Sequence, residues 1–288
     1  MNGKLLFIHG ITPIHTGTGQ SVDVIDLPVA REKTTNWPYI PGSSIKGVLR
    51  DAFKDKLGEN FVNAVFGSDK VETDTAQAGT VIFADAKLLC FPVRSFYGTF
   101  CWATCPSALS RLRRDYLYSH PGMKPPFDKL PSIIHGNMAM VCSETNICQK
   151  DKIYLEDLDF LKMTEQSADD WANAIAQVLS EDAEERDAFK RRFVILNDDL
   201  FTMLTETATE VTARIRIEEN KKTVQQGGLW YEEAVPSETI FWLPLLDAAR
   251  NGAVNFKQLQ DNFIEYAQIG GNATVGRGIV RFCLGKEN

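Results

Sequence analysis

Pro41-Gly42-Ser43-Ser44-Ile45-Lys46-Gly47-Val48-Leu49-Arg50-Asp51-Ala52-Phe53-Lys54-Asp55-Lys56-Leu57-Gly58 carries the strongest periodic signal in the chain. Ile45, Val48, Leu49, Ala52, Phe53 and Leu57 recur at the three- and four-residue spacing of an amphipathic helix. Ser43 or Ser44 is placed to cap its start, and Gly58 to end it. Lys46, Arg50 and Lys54 recur every fourth residue and form a basic stripe beside the apolar face. Two readings of this stripe stand. It is a solvated face, or Ser44, Lys46 and Arg50 gather at a helix N-terminus whose free N–H groups attract an anion.

On the N-terminal side, Leu5-Leu6-Phe7-Ile8 is a short apolar run, which predicts a strand from Lys4 to Thr12. An irregular stretch from Pro13 to Gly42 follows, with Gly17-Thr18-Gly19, Asp23, Asp26 and Arg31-Glu32-Lys33. A loop of that length within a compact domain is either functional or disordered. On the C-terminal side, Gly79 to Ala86 and Arg94 to Trp102 read as strands joined by a turn at Phe91-Pro92, and Pro106 opens a second helix. The segment around Trp171, Ile175, Val178 and Leu179 reads as an amphipathic helix in an outward-facing acidic insertion. Val211-Thr212-Ala213-Arg214-Ile215-Arg216-Ile217 alternates strictly, with Arg214 and Arg216 opposite the aliphatics. A polar turn containing Lys222 leads to Leu229-Trp230-Tyr231-Glu232-Glu233, so a β-hairpin is expected, its closing glutamates on opposite faces. A helix from Phe256 to Ala267, the loop Gly270 to Gly278 and a strand from Ile279 to Leu284 complete an α+β, ferredoxin-like plan with insertions.

Composition narrows the function classes. Hydrophobic residues at 44% and charged residues at 24% exclude a wholly disordered or collagen-like chain. The net charge of −7 is uneven, because Glu156 to Asp187 alone holds 11 acidic and 2 basic residues. The rest of the chain is slightly basic, so nucleic acid remains an eligible partner. No apolar run reaches the ~18 residues of a membrane helix, and the N-terminal run is too short for a signal peptide, so a cytoplasmic location without membrane contact is expected. The six cysteines are then reduced thiols. Cys101 and Cys105, with Cys90 nearby, make half of a zinc site at most, since no histidine pair completes it.

Neither glycine loop builds a dinucleotide site. Gly17-Thr18-Gly19 lacks a third glycine and a following helix, and Gly276-Arg277-Gly278 precedes a strand. The C-terminal loop has two other uses. It is a plain helix-to-strand connection, or its backbone and Arg277 hold a phosphate.

Pro41 to Arg50 resembles the turn-helix signature of the RAMP superfamily of CRISPR RNA-binding proteins, and Ile269 to Gly278 resembles that superfamily's glycine-rich C-terminal loop. Ile25 to Glu32, Ala78 to Ala86 and Leu229 to Glu233 are similar to one branch, the repeated backbone subunit of the Cmr (type III-B) RNA-guided effector complex. The resemblance implies a single RAMP domain over residues 1–288 with an RRM-like palm. Within it lie a lid loop (13–42), a helical acidic insertion (156–192) and a hairpin thumb (206–239). It also implies stacking of copies along a guide crRNA, contact with other Cmr subunits, and kinking of the guide–target duplex by each thumb. The single-stranded target RNA is then cut once per subunit with a divalent metal, Mg or Mn. The family's essential aspartate matches Asp26. Guide phosphates fall to Ser44, Lys46, Arg50, Gly270, Gly271 and Arg277 on the palm, and RNA at the thumb to Arg214, Arg216 and Lys222.

The chemistry is consistent with those residue types. RNA carries its own nucleophile, the 2′-OH, so a nuclease needs in-line alignment and charge management. A hard cation prefers oxygen ligands, which makes Asp26 the natural protein ligand, with Asp23 its competitor in the same loop. His15, eleven residues before Asp26, is a candidate general acid or base, and Glu232 a candidate at the scissile site. The alternative is a non-catalytic RNA-binding scaffold of the same fold, which needs no acidic residue in the lid.

Overall fold

The computed structural model describes residues 3–17, 19, 25–68, 78–127, 129–218, 223–248 and 253–285. In chain order the elements are β1 (Gly3–Gly10), β2 (Tyr39–Ile40), α1 (Gly42–Leu57), α2 (Glu59–Phe66), β3 (Val81–Phe83), β4 (Ala86–Arg94), β5 (Phe100–Thr104) and α3 (Pro106–Ser119). Next come β6 (Met138–Val141), β7 (Cys148–Gln149), β8 (Lys152–Leu155), β9 (Leu158–Thr164), α4 (Gln166–Leu179), α5 (Ala183–Arg192), β10 (Phe193–Ile195) and α6 (Asp198–Thr207). The last are β11 (Glu210–Ile217), β12 (Val224–Ala234), β13 (Ile240–Asp247), α7 (Ala253–Asp261), β14 (Tyr266–Gln268) and β15 (Ile279–Leu284).

β1 is apolar on both faces because both faces are covered. Leu6 and Ile8 point to a cluster with Ile45, Leu49 and Phe53 of α1. Leu5 and Phe7 point to a second cluster with Leu109 and Leu112 of α3 and Trp171 and Ile175 of α4. Full burial of each such side chain is worth roughly 1.5–3 kcal/mol. β1 pairs antiparallel with β13 and β15, Phe7 lying opposite Trp242 and Cys283, and β13 pairs antiparallel with β4. The order β15–β1–β13–β4, with crossovers through α1 and α7, is the ferredoxin-like α+β arrangement.

The sheet is wider than the sequence pattern predicts. It continues from β4 through β5, β10, β6, β9 and β8 to β7. Phe91 and Pro92 are not a turn: they lie inside β4 opposite Ala103 and Trp102, beyond the last β13 pairing at Cys90, where β4 has one neighbour fewer to supply with donors. The acidic segment is not outward-facing. α4 lies on the sheet with Trp171 and Ala172 fully buried, and its acidic residues occupy the solvent side of the helix. The expected helix to Ala267 ends at Asp261, because Tyr266–Gln268 pairs with β15.

Asp85, rather than Ser43 or Ser44, caps α1: its Oδ1 accepts the Gly42 N–H at 2.7 Å. Gly42 is required there, since a Cβ would stand 2.6 Å from the Phe83 carbonyl oxygen. Five of the six thiols are buried in the core, and burial pushes Cys142 up to about 12 and Cys283 to about 11. They are protonated packing groups. No helix among the described residues is long and apolar enough to cross a membrane.

Candidate functional site

β11 and β12 form a separate two-stranded sheet, so the outer edge of β12 would be a row of unpaired backbone groups. The long loop covers it. Leu27 N–H donates to the Tyr231 carbonyl at 3.1 Å, Glu233 N–H to the Leu27 carbonyl at 3.0 Å, and Ile14 and Val235 exchange a pair of bonds at 2.8 Å. Two candidate residues complete this edge. Asp26 Oδ2 accepts the Tyr231 N–H at 2.7 Å, and His15 Nδ1 lies 2.6 Å from the Glu233 carbonyl oxygen. Asp26 and His15 are therefore anchored two residues apart on one strand, about 7 Å along it.

The stretch from Val29 to Trp37 is clamped by groups whose roles the sequence pattern barely signals. Glu233, almost fully buried, accepts the Val29 N–H at 3.0 Å and pairs with Arg31 at 2.6 Å. Glu32 makes a two-pronged ion pair with Arg111 at 2.8 and 2.5 Å. Trp37 packs edge-on against Phe201. The only local hint was Arg31-Glu32, a charged pair in a loop that otherwise needed none.

Glu232 and Glu233 do lie on opposite faces, but neither faces solvent. Glu232 is 6% exposed. It accepts from Trp230 at 2.9 Å, Asn272 at 3.0 Å, Arg214 at 3.2 Å and Arg277 at 3.3 Å. It thus ties the hairpin to the glycine loop, with three of the four bonds on Oε2, and its charge is already matched by Arg214 and Arg277. Burial alone would raise its pKa, but the hydrogen bonds from Trp230 and Arg214 and the Arg214 and Arg277 charges outweigh that and hold the carboxyl below its ordinary value. Burial likewise opposes ionisation of Glu32, and the Arg111 and Thr35 hydrogen bonds with the Arg111 charge overcome it.

Both lowered carboxyls stabilise the folded state above the unfolded glutamate pKa of about 4.3, and that stabilisation is lost as pH falls through the folded values. The unfolding midpoint is accordingly expected to be flat from neutrality down to about pH 5 and to drop below about pH 4.5. Glu32→Gln lowers the neutral plateau and shallows the acid limb; an acid limb unchanged by Glu32→Gln would remove Glu32 from this account.

Several expected phosphate ligands carry structural duties. Arg50 donates to the Gly67 carbonyl at 2.5 Å and to Asn63 Oδ1 at 3.0 Å, fastening the end of α2. Arg277 is buried on Glu232 and Thr212. Gly270 is at φ +86°, where a Cβ would meet the His15 carbonyl oxygen at 2.3 Å, so its glycine is set by that approach. Gly271 N–H donates to the same oxygen at 2.9 Å. Ser44 is half-buried in the first turn of α1, whose start Asp85 already caps through Gly42. Lys46 is half-buried and Arg216 exposed, and the outer side of the loop from Gly270 to Gly276 is largely exposed. The aliphatic side of the hairpin is also exposed, Val211, Ile215 and Ile217 each about half. Asp23 and Lys222 lie outside the described residues.

No group of three His, Cys, Asp or Glu side chains converges among the described residues. Asp26 is a single carboxylate with one oxygen already hydrogen-bonded. That donor set fits a hard cation that keeps most of its water and takes its remaining ligands from phosphates, in the manner of Mg²⁺, and not an all-protein cage.

A ferredoxin-like palm, a two-stranded hairpin and a carboxylate-bearing loop docked on the hairpin edge define the class of this protein. The RAMP superfamily model matches residues 7–281, and the chain belongs to that superfamily, in its Cmr4 branch. It is 36% identical over 292 residues to the CRISPR system Cmr endoribonuclease Cmr4 of Pyrococcus furiosus, covering 99% of this chain and 96% of that protein. The crystal structure of oligomeric Cmr4 from Pyrococcus furiosus superposes with a TM-score of 0.78 at 30% identity, covering 99% and 98% of the two chains. A chain of the type III-B Cmr-beta complex bound to cognate target RNA has the same fold, with a TM-score of 0.74 at 20% identity over 99% of this chain and 97% of that one.

Proposed function

We propose that this chain is a crRNA-binding backbone subunit of a cytoplasmic type III-B CRISPR effector filament and cuts guide-paired target RNA at regular intervals. The observation that carries the proposal is the Asp26 carboxylate, held on β12 by the Tyr231 N–H where the lid meets the hairpin. A neutral acceptor would satisfy the Tyr231 N–H, so the full negative charge at that edge is what a scaffold does not require. The relative named a Cmr endoribonuclease, the oligomeric Cmr4 structure and the Cmr-beta structure with target RNA support the assignment. The partners are guide crRNA, target RNA, further copies of the chain and other Cmr subunits.

In this reading the hairpin kinks the duplex and frees one backbone step to align its 2′-OH with the phosphorus. A divalent cation, Mg or Mn, held by Asp26 would supply neutralisation of the phosphorane charge. Lys46 attracts guide phosphate, with Arg50 and the glycine loop shaping the surface around it. His15 is buried and bonded to the hairpin backbone, which suits a pin between lid and hairpin better than a proton shuttle. Glu232 holds Arg277 and the hairpin in place.

The test is assembly with guide RNA and the other Cmr subunits, followed by addition of complementary RNA. Evenly spaced fragments are expected, and a bound but uncut target would establish the scaffold reading. Lys46→Ala should weaken guide binding and reduce the slope of log affinity against log salt by about one, because one phosphate contact is lost. An unchanged slope removes Lys46 from the guide path.

A further inference from the structure

A cleft of about 580 Å³ opens at the end of β4 and β5, away from the lid and hairpin residues. Its walls are aromatic. Phe96 and Tyr97 lie 5.0 Å apart at 72°, Phe96 and Tyr154 6.3 Å apart at 65°, and Tyr97 and Tyr154 6.4 Å apart at 52°. Its rim carries Glu156, Asp157 and Asp159, and no cation is among the described residues that line it. Phe96 is 80% exposed, far beyond what an isolated core aromatic would show.

The cleft is built rather than frayed. Phe96 N–H donates to the Tyr154 carbonyl at 3.1 Å and Ser95 N–H to Thr99 at 3.0 Å, while the Tyr97 hydroxyl is bonded to Gln149. Thr99 and Glu156 hold positive φ angles of 74° and 49° in the two turns that meet here. Backbone in that region persists where surrounding structure imposes it, and such positions gather at binding sites. Arg94 pairs with Glu156 at 3.4 Å and, more loosely, with Asp157 at 3.7 Å, and Lys152 pairs with Asp159 at 2.8 Å, so the rim's remaining negative charge centres on Asp157, whose side chain is fully exposed.

Steeply inclined rings with a carboxylate rim recognise a cation, through the ring faces and the rim charge together. A planar guanidinium suits the corner better than a compact ammonium, since it stacks on one ring while donating to the rim. Single-stranded RNA does not suit it, because stacking platforms for RNA sit in positively charged grooves and this rim, even with Arg94 and Lys152 paired to it, keeps a net negative charge. We infer that the Phe96–Tyr97–Tyr154 cleft is a docking site for an arginine-bearing segment of a partner protein.

The test uses the full chain and a fluorescein-labelled Gly-Ser-Arg-Gly-Arg-Gly-Ser peptide, followed by anisotropy. Saturable binding is expected, weakened about tenfold by Phe96→Ala and by Asp157→Asn, and abolished when citrulline replaces arginine. Asp51→Asn, an exposed acid on α1, controls for general charge and should change nothing. Both test residues are exposed, and circular dichroism checks that each variant folds. Absence of peptide binding, binding that survives Phe96→Ala, or equal binding of the citrulline peptide overturns the inference. So does binding of a poly-U probe that depends on Phe96, which would make the cleft a stacking platform for RNA.

Discussion

Asp26→Asn is expected to leave folding, guide binding and assembly intact and to lower target cutting by on the order of 10²-fold or more, as for other preorganised charge stabilisers. The amide keeps the size of the side chain and an oxygen to accept the Tyr231 N–H, so the lid stays docked on β12. What disappears is the full negative charge, and a neutral amide oxygen is a far poorer partner for a hard, strongly hydrated cation. The measurement is the single-turnover cutting rate of a guide-loaded assembly, read on a denaturing gel. Asp23→Asn is the control in the same loop and should cut at the wild-type rate, while a chelator should silence the wild type. If Asp23→Asn alone is inactive, the nuclease stands and the aspartate has been misassigned. If neither substitution matters, the cutting does not depend on an aspartate of this loop and the Asp26 assignment falls.

Glu232→Ala has the largest expected effect on stability. It strips the ion-pair partner from Arg277, whose side chain is only 9% exposed, and leaves the buried guanidinium with Thr212 as its side-chain hydrogen-bond partner among the described residues and Glu210 as a nearby charge. Breaking a buried pair from one side costs roughly 3–5 kcal/mol, which for a chain of this size lowers the unfolding midpoint by on the order of 10 °C. Removing both partners, as Glu232→Met with Arg277→Met, should cost less than the two single changes added together, because no charge is then stranded. Thermal unfolding of the wild type, Glu232→Met, Arg277→Met and the double variant gives the coupling directly. Additive losses would mean that Glu232 and Arg277 do not join the hairpin to the palm as a unit. Any loss of cutting in Glu232→Ala that tracks the fall in stability, and recovers in the double variant, marks Glu232 as a positioning residue rather than a chemical one.

The lid clamp has a consequence for how the site is maintained. Glu233 reaches Val29 and Arg31, and Glu32 reaches Arg111 of α3, so the loop carrying Asp26 is held from both the hairpin and the palm. A change that loosens either clamp displaces Asp26 from β12 without touching it. Position rather than reactivity would then limit the rate, in keeping with the steep cost of small misplacements in aligned reactions.

The amino-acid pattern alone determined the elements whose signal is local. The α1 period, the Gly58 stop, the buried run of β1, the alternation of β11 and the final strand are all set by residues within a few positions of one another, and each is present. It placed Asp23, Asp26 and His15 in one loop, while the choice of Asp26 over Asp23 came from the resemblance to the family and not from the pattern. It misplaced Phe91-Pro92 and the acidic segment because both readings depend on what lies across the sheet: a proline is tolerated where a strand has lost a neighbour, and an amphipathic acidic helix points inward or outward according to whether a bare sheet face awaits it. Tertiary structure decided the site itself. Asp26 meets Tyr231 across 205 residues, His15 meets Glu233 across 218, and Glu232 meets Arg277 across 45. No periodicity encodes such pairings. They exist because the unpaired edge of β12 and the buried charge of Arg277 each required partners, and the folded chain brought those partners within hydrogen-bonding reach.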